Sequence, residues 1–480
     1  MIRTRAFRLA SLISALALGA CSLAPKYVAP TPPVPSSWPA GDAYLAQSEA
    51  GLPLVSYTDI FRDPRLQSLV EQALANNRDL RVAAANLAAA REQIRVVRAN
   101  QFPEVGVGGS ATYTHRERSG AGSTTGNGNG GGSGWSYSVQ GGVSSFELDL
   151  FGKLANATES QRDAALATEA SARTVRLGLV ADLALAWATY GADRDLLAIA
   201  ESTARNAEES VRLTNARLRG GIAPRTDLRQ AEQVLETARG DVATQKTALA
   251  QDINAIRLLV GADFDQSALP SGIAEVNQSL TVLPAGTSSQ VLLRRPDVVQ
   301  AEYYLRAANA DIGVARAQLF PSISLTGLLG LASDALGSLF KNGAFSATAG
   351  GNANWSIFNA GGRIANVDVA KAQRDAALAT YEKAIQSAFR EVSDALADQG
   401  TISERLRAAQ ATTAAAQDTA RLTEATYRQG IASSLDNLDA QRSLYSARQQ
   451  EVSTRLQAAA NRITLYRVLG GDQATGPAAR

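Results

Sequence analysis

The chain has 480 residues, of which 45% are hydrophobic, only 6% are aromatic and 19% are charged. This length allows two or three ordinary domains, and the abundance of alanine favours long helices that pack through small side chains over one thick core. The formal net charge is +2 and no long basic run occurs, so nucleic-acid binding has no electrostatic support.

The N-terminus predicts a secretory signal peptide over residues 1–20. Arginines at positions 3, 5 and 8 precede an apolar run at 9–18, which is too short for a membrane-spanning helix. Leu18-Gly19-Ala20-Cys21 has the form of a bacterial lipobox, and Cys21 is the single cysteine. We expect diacylglycerol and an N-acyl chain on Cys21, which anchor the protein without spanning the bilayer. An ordinary signal peptide with a chance cysteine is the alternative.

Two details describe the mature chain that this cleavage would leave. Ser22 after the cysteine favours sorting to the outer membrane. Loss of three arginines and no acid leaves 44 basic and 45 acidic side chains, so the net charge becomes about −1. Residues 21–63 contain seven prolines, which favour an extended chain, and we interpret them as a lipidated arm lying along the body.

The rest of the chain is a duplicated half-molecule. The octapeptide QRDAALAT occurs at 161–168 and again at 373–380, and Gly221-Ile222-Ala223 matches Gly430-Ile431-Ala432. This period is far longer than a solenoid repeat of roughly 20–50 residues. The sequence therefore predicts a first repeat at 64–261, an equatorial linker at 262–296, a second repeat at 297–471 and a C-terminal tail at 472–480.

Each repeat contains a long helical tract. No proline occurs between Pro103 and Pro224 or between Pro321 and Pro477, and apolar residues there return with the 3, 4 spacing of a coiled-coil seam. The spacing predicts helices from about 153 to 218 and from about 363 to 429. Each would span on the order of 100 Å at 1.5 Å per residue, which suits a distance to be crossed.

Four segments between the helices read as strands: about 105–117 and 135–149 in the first repeat, and about 323–331 and 345–358 in the second. They have the length that a tilted strand needs to cross a bilayer. Aromatic residues near their ends suit interfacial girdles, although plugging helix–strand corners is an alternative for each. They are Phe102, Trp135, Phe146, Phe151, Phe320, Phe340, Trp355 and Phe358.

Four strands leave open edges, which lipid does not tolerate, so other copies must complete the sheet. Three copies would give twelve strands, within the range of outer-membrane barrels, although the strand count alone does not fix the number three.

The sequence argues against an enzyme. His115 is the only histidine, and with one cysteine no Cys/His zinc cluster or cysteine nucleophile can be assembled. We therefore expect no catalytic residues, no metal site and no cofactor beyond the lipid on Cys21.

Several motifs carry a resemblance. The lipobox, the duplicated halves, Leu319-Phe320-Pro321 before a strand, the RGGIAPRTDL motif at 219–228 and the closing LYRVLGG at 465–471 resemble the outer membrane efflux channel lipoproteins of Gram-negative bacteria, the TolC-like, NodT-type outer membrane factors. The resemblance implies a mainly α-helical fold with a transmembrane β-barrel. It implies a homotrimer with a twelve-stranded barrel, a long α-helical barrel through the periplasm and a mixed belt around its middle. Partners would be a periplasmic adaptor (membrane fusion protein), an inner-membrane pump of probable RND type, and outer membrane lipid.

The two hairpin turns are the candidate functional site. Glycines there suit helix C-caps, and Pro224 suits the start of a returning helix. By resemblance the turns form the periplasmic tip, where the adaptor docks and the pore narrows. The residues concerned are Arg219, Gly220, Gly221, Ile222, Ala223, Pro224, Arg225, Tyr427, Arg428, Gln429, Gly430 and Ile431. From position alone, Arg219, Arg225, Tyr427, Arg428 and Gln429 are expected to bond across neighbouring hairpins.

Acidic residues follow each turn. Asp436 and Asp439 share one helix face, and three copies would set six carboxylates near one axis, where they would repel anions. Interaction with the helix dipole is the alternative role. Asp227 matches Asp436 in the first repeat, but Gln230 matches Asp439, so the second hairpin is the predicted constriction.

Three functions fit these features. The first is the outer membrane channel of a tripartite efflux system, with a duct for type I protein secretion as its variant. A self-contained porin would not need such long helices. A periplasmic coiled coil that conducts nothing would not need four strands with aromatic flanks.

Overall fold

The computed structural model describes residues 22–39, 41–44, 56–115, 134–281, 289–341 and 343–471. The expected signal peptide, Cys21 and the tail at 472–480 lie outside the described residues. The helices are α1 (Tyr57–Ile60), α2 (Pro64–Asn76), α3 (Arg78–Ala99), α4 (Lys153–Arg219), α5 (Arg225–Val260), α6 (Ile273–Ser279), α7 (Pro296–Ala317), α8 (Gly362–Arg428) and α9 (Ser434–Val468). The strands are β1 (Val105–Thr114), β2 (Gly134–Leu148), β3 (Ser322–Ser333) and β4 (Phe345–Asn354). The predicted class, mainly α-helical with four strands, is confirmed.

The two predicted long tracts are continuous helices, α4 and α8, of 67 residues each. Alanine is the commonest residue at their buried positions, as at Ala167, Ala184 and Ala388, and its small side chain lets neighbouring backbones approach closely. Among the described residues, no helix is both long and apolar enough to cross a membrane.

The chain before the first strand pair forms two helices rather than one, because Asn77 separates α2 from α3. Asn77 has extended backbone angles and is buried. Its side chain accepts from the N–H of Leu80 at 3.1 Å, which caps α3, and donates to the carbonyl of Leu259 at 2.9 Å. Asparagine prefers this capping role to a helix interior, and a tertiary acceptor holds it there.

The equatorial linker predicted at 262–296 is partly helical. It contains α6 and two 3-10 turns, Gln266–Ala268 and Ser289–Arg294. Asp195 of α4 accepts from the N–H of Ile273 at 3.0 Å and so satisfies the first turn of α6 from outside the helix.

The strands form one antiparallel sheet in the order β1-β2-β3-β4. The first pair comes from the first repeat and the second pair from the second, and β2 joins β3 at the centre. Three predicted bounds need correction: the first strand ends at Thr114 rather than 117, the third covers Ser322–Ser333, and the fourth ends at Asn354 rather than 358. The fourth stops because the Trp355 indole turns away and donates to the carbonyl of Leu319 at 3.0 Å.

A glycine makes the central pairing possible. Gly142 has a φ of +144° beside a bulge in β2, and a Cβ there would lie 2.1 Å from the carbonyl oxygen of Gly327 on β3. We expect Gly142→Ala to reduce the yield of folded protein in outer membranes, because the strained backbone alone costs about 1–3 kcal/mol. Gly108→Ala on β1, where a Cβ would meet open space, is the control. Equal yields measured by immunoblot for the two variants would contradict this role.

The chain divides into two compact units, and they are not the two repeats. The first unit takes its described residues from 1–30, 88–167 and 302–379 and contains the sheet. The second takes them from 31–87, 168–301 and 380–480. Each unit mixes both repeats because segments of one repeat pack against segments of the other, as β2 of the first repeat and β3 of the second do.

In the second unit, the main apolar core surrounds α2 and α6. Leu66, Leu69, Ile273 and Val276 are fully buried there. The Trp187 indole of α4 is also buried and donates to the carbonyl of Ala268 at 2.9 Å. This core accounts for the helical parts of the linker, since α6 needs an apolar surface to cover.

In the first unit, the start of the N-terminal arm packs along α7. Arg316 donates to the carbonyl of Leu23 at 3.0 Å, and Asn309 donates to that of Pro25 at 2.7 Å. Gly313 faces Ala24 so closely that a Cβ would lie 2.8 Å from it. Residues 22–25 therefore occupy a fitted groove, and Ser22 in turn donates to Asn156 of α4 at 2.8 Å.

Candidate functional site

Both long helices end in the same backbone motif. The N–H of Ile222 donates to the carbonyl of Arg217, and that of Ile431 donates to the carbonyl of Thr426, each at 2.9 Å. Gly221 and Gly430 precede them in the left-handed region, with φ of +71° and +80°. This is the Schellman arrangement, in which glycine takes the left-handed position without steric cost. The duplicated turns are therefore equivalent in geometry as well as in sequence.

The returning helices begin differently. Pro224 is the N-cap of α5, one residue before the helix, and offers no side-chain cap. Ser433 caps α9 with a complete capping box, in which its hydroxyl accepts from the N–H of Asp436 at 3.1 Å. A carboxylate oxygen of Asp436 accepts in return from the N–H of Ser433 at 3.1 Å and from its hydroxyl at 2.7 Å. Of the two hairpins, only the second has a capping box on the first turn of its returning helix.

The three predicted acids thus differ in what holds them. The Ser433 hydroxyl and N–H lower the pKa of the Asp436 carboxyl, so it stays ionised near neutrality. Asp439 is exposed, and Asp227 is half-exposed at the first turn of α5. Within the described residues neither has a side-chain hydrogen bond or ion pair. Asp436 thus caps the first turn of α9, where a carboxylate also has the favourable position toward the helix dipole that was the alternative role, while Asp439 and Asp227 make no such contact in the described residues.

Tyr427 connects the end of α8 to the end of α4. Its ring is buried, its hydroxyl lies 3.1 Å from that of Thr214, and the Arg217 guanidinium stacks 4.2 Å from the ring centroid. Arg217 also donates to the carbonyl of Tyr427 at 2.6 Å and to that of Arg428 at 3.4 Å. Both carbonyls lie at a helix C-terminus, where a cation is favoured, and that of Tyr427 also accepts from the N–H of Gly430 at 2.9 Å. We call Thr214, Arg217 and Tyr427 the hairpin lock.

The lock contains one of the five residues expected to bond between hairpins. Arg428 forms an ion pair within its own helix, with Glu424, and contributes only its carbonyl to the lock. In the described part of this chain, the side chains of Arg219, Arg225 and Gln429 make no hydrogen bond or ion pair. Sequence reasoning missed Arg217 and Thr214. A cation in the last turn of a helix was the available signal for Arg217, but Arg219 in the same turn carries the same signal.

The turns also expose large apolar side chains. Ile222 is 80% exposed and Ile431 is 75% exposed, and Leu435 stands beside them on α9 at 60%. Exposed apolar residues grouped at the end of a helix pair are typical of a contact surface. The lock is therefore internal, while the outermost residues of both turns remain uncovered in this chain.

The sheet in the first unit has the surface features of strands that cross a membrane. The outer strands β1 and β4 are exposed along their whole length, and among the described residues each pairs on one side only. Phe102, Trp135, Phe340, Trp355 and Phe358 are more than half exposed near strand ends. Exposed aromatic rings at these positions fit an interfacial girdle better than corner plugs.

Comparison with known proteins agrees with this architecture. The family model described as outer membrane efflux protein matches residues 69–262 and 287–471. The antibiotic efflux pump outer membrane protein ArpC of Pseudomonas putida is 41% identical over 465 residues, which cover 96% of this chain and 94% of that relative. The cation efflux system protein CusC of Escherichia coli K12 is 37% identical over 470 residues, covering 95% and 97%.

Solved structures have the same fold. A crystal structure of CusC superimposes with a TM-score of 0.80 at 38% identity and covers 94% of this chain and 100% of that one. The open state of the MtrE outer membrane channel of Neisseria gonorrhoeae gives 0.80 at 33% identity, covering 94% and 98%. With a sheet suited to lipid and two long helical hairpins, this chain belongs to the outer membrane efflux protein family and is the outer membrane channel of an efflux system.

Proposed function

We propose that three copies of this chain form one channel, in which β1 of each copy pairs with β4 of the next to close a twelve-stranded barrel. The observation that carries the proposal is the pair of free, fully exposed edge strands. In lipid, each unpaired backbone group of an edge costs several kcal/mol, so the edges must meet. The free Asp439 carboxylates of the three copies would then form the cation-favouring ring, with Asp436 beside them.

The uncovered apolar residues at the turns support docking of a periplasmic adaptor. Ile222 and Ile431 occupy equivalent places in the two hairpins, so a trimer would present six similar contacts in a ring. The adaptor would connect the channel to an inner-membrane pump, for which we favour the RND class. The cargo would be selected by the pump, because the relatives with the same channel are named for antibiotic, toluene and cation efflux.

The export role is tested by deleting the gene and measuring drug accumulation in the cell. We expect accumulation to rise, and a plasmid copy to reverse it only when the cognate pump and adaptor are present. Rescue in the absence of the pump would favour a self-contained porin. Unchanged accumulation together with loss of a secreted protein would favour a duct for type I secretion.

The lipid anchor is a separate proposal. Its support is the lipobox and the fitted groove for residues 22–25, which would hold the N-terminus beside Asn156, one turn into α4 and close in sequence to β2. We expect Cys21→Ser to abolish incorporation of labelled palmitate while the protein is still synthesised. Ser22→Ala is the control, since it removes the neighbouring hydroxyl and leaves the thiol. Undiminished labelling of the serine variant would disprove lipidation at this site.

A further inference from the structure

Two carboxyl groups meet between the helices of the first hairpin. Asp193 lies on α4 and Asp252 on α5, both are partly buried, and their side chains hydrogen-bond to each other. Oδ2 of Asp252 is buried and receives no hydrogen bond from any N–H or O–H group of the described residues. A hydrogen bond between two carboxyls requires a proton on at least one of them, so this contact is lost when both are ionised.

Cations do not neutralise the pair. The charged side chains of the surrounding helices have other partners: Arg257 pairs with Asp263, Arg455 with Glu451, and Arg65 with Asp63 and Glu275. Asp195 caps α6, and Arg194 and Arg455 act on that carboxyl. Lys246 on α5 is exposed to solvent. Among the described residues, the charge that acts on Asp252 is that of Asp193 and not that of a cation.

We propose that Asp193 and Asp252 share one proton and form a latch that holds α4 to α5 in the first hairpin at acidic and neutral pH and releases it in alkali. Without the shared proton, two buried carboxylates in contact repel each other. The periplasm follows the pH of the medium through outer membrane pores, so the latch would respond to external conditions.

The second hairpin provides an internal comparison. Its turn glycine, Gly430, lies 209 positions after Gly221. The same step holds from Gly261 to Gly470 and leads from Asp252 to Asn461, which does not titrate. Asn461 donates to the carbonyl of Ala395 at 2.8 Å, a bond that pH does not change. The latch is therefore a property of one hairpin in each chain.

The direction of the effect follows from linkage. Burial, followed by the charge of Asp193, raises the pKa of Asp252 to about 7, and burial raises that of Asp193. In the unfolded chain Asp252 would titrate near its ordinary value of about 3.9. Between these values the folded protein binds more protons than the unfolded one, so stability falls as pH rises and the loss is complete above the folded pKa.

Infrared difference spectroscopy and amide hydrogen exchange on the purified full-length protein test the latch. Between about pH 5.5 and about pH 8.5 we expect the wild type to lose a protonated-carboxyl C=O band and to exchange faster around residues 193 and 252. Exchange must be corrected for its intrinsic pH dependence. Asp252→Asn should lose the band and keep slow exchange at both pH values, because an amide donates to the Asp193 carboxylate without a shared proton.

Glu236→Gln is the matched control, because it removes an exposed carboxylate of α5 that pairs with Arg239 one turn away and leaves the Arg257–Asp263 pair intact. It should behave as the wild type does. If the wild type shows no such band at the lower pH, or if Asp252→Asn keeps the full pH-dependent change in exchange, the latch is refuted. Asp193→Asn should repeat the Asp252→Asn result, so a folding defect in one variant does not decide the outcome.

Discussion

Replacing Arg217 and Tyr427 together with alanine is expected to raise the single-channel conductance in planar bilayers. The change removes a cation–π contact, the hydroxyl contact to Thr214 and two hydrogen bonds to helix-terminal carbonyls. These are worth about 2–4 kcal/mol per chain together. Because about 1.4 kcal/mol is a factor of ten in an equilibrium constant, the ends of α4 and α8 should separate far more often.

Single substitutions separate the contributions of Arg217 and Tyr427 to the change in conductance. Tyr427→Phe keeps the ring and removes only the hydroxyl, so it should change conductance less than Arg217→Ala does. Arg212→Ala is the control on the same helix, since Arg212 is exposed and pairs with Glu209 one turn away. An ion pair exposed to solvent in this way contributes little to stability. If the double variant conducts no better than Arg212→Ala, the hairpin lock does not restrict the tip.

Replacing Arg295 with methionine is expected to give a large loss of stability in the second unit. Arg295 is only 7% exposed, and its guanidinium binds Asp297 and Glu391 as well as the carbonyl of Val468 at 3.0 Å. It thus ties the start of α7 to α8 and to the end of α9. Both acids are about 40% exposed and can be rehydrated, so we expect a loss of about 2–4 kcal/mol rather than more.

The measurement is the apparent melting temperature in detergent at a fixed scan rate, since membrane proteins often unfold irreversibly. Arg295→Lys should recover little, because a point charge cannot serve three acceptors in a fork. Arg257→Met removes an exposed ion pair to Asp263 and should shift the melting temperature hardly at all. A shift for Arg295→Met no larger than for Arg257→Met would show that the buried network is dispensable.

The sequence by itself determined the repeating parts of this protein. Proline-free tracts and apolar spacing located α4 and α8 to within a residue, because helix bounds depend on local propensity and on breakers such as Gly221 and Pro224. Alternation and glycine content located the four strands, and the lipobox and turn motifs carried the family. These signals are local along the chain, so they can be read without knowing the fold.

The tertiary structure decided which residues that lie far apart in the chain contact one another. Asn77 breaks a helix because the carbonyl of Leu259 is there to accept its amide. Arg217 rather than Arg219 meets Tyr427, because the direction of each residue around α4 selects which of two nearby arginines faces α8. No pattern in the sequence relates Asp193 to Asp252, and their carboxyls meet because α4 packs on α5. Contacts between residues far apart in the chain depend on packing and register, which spacing within one helix does not specify.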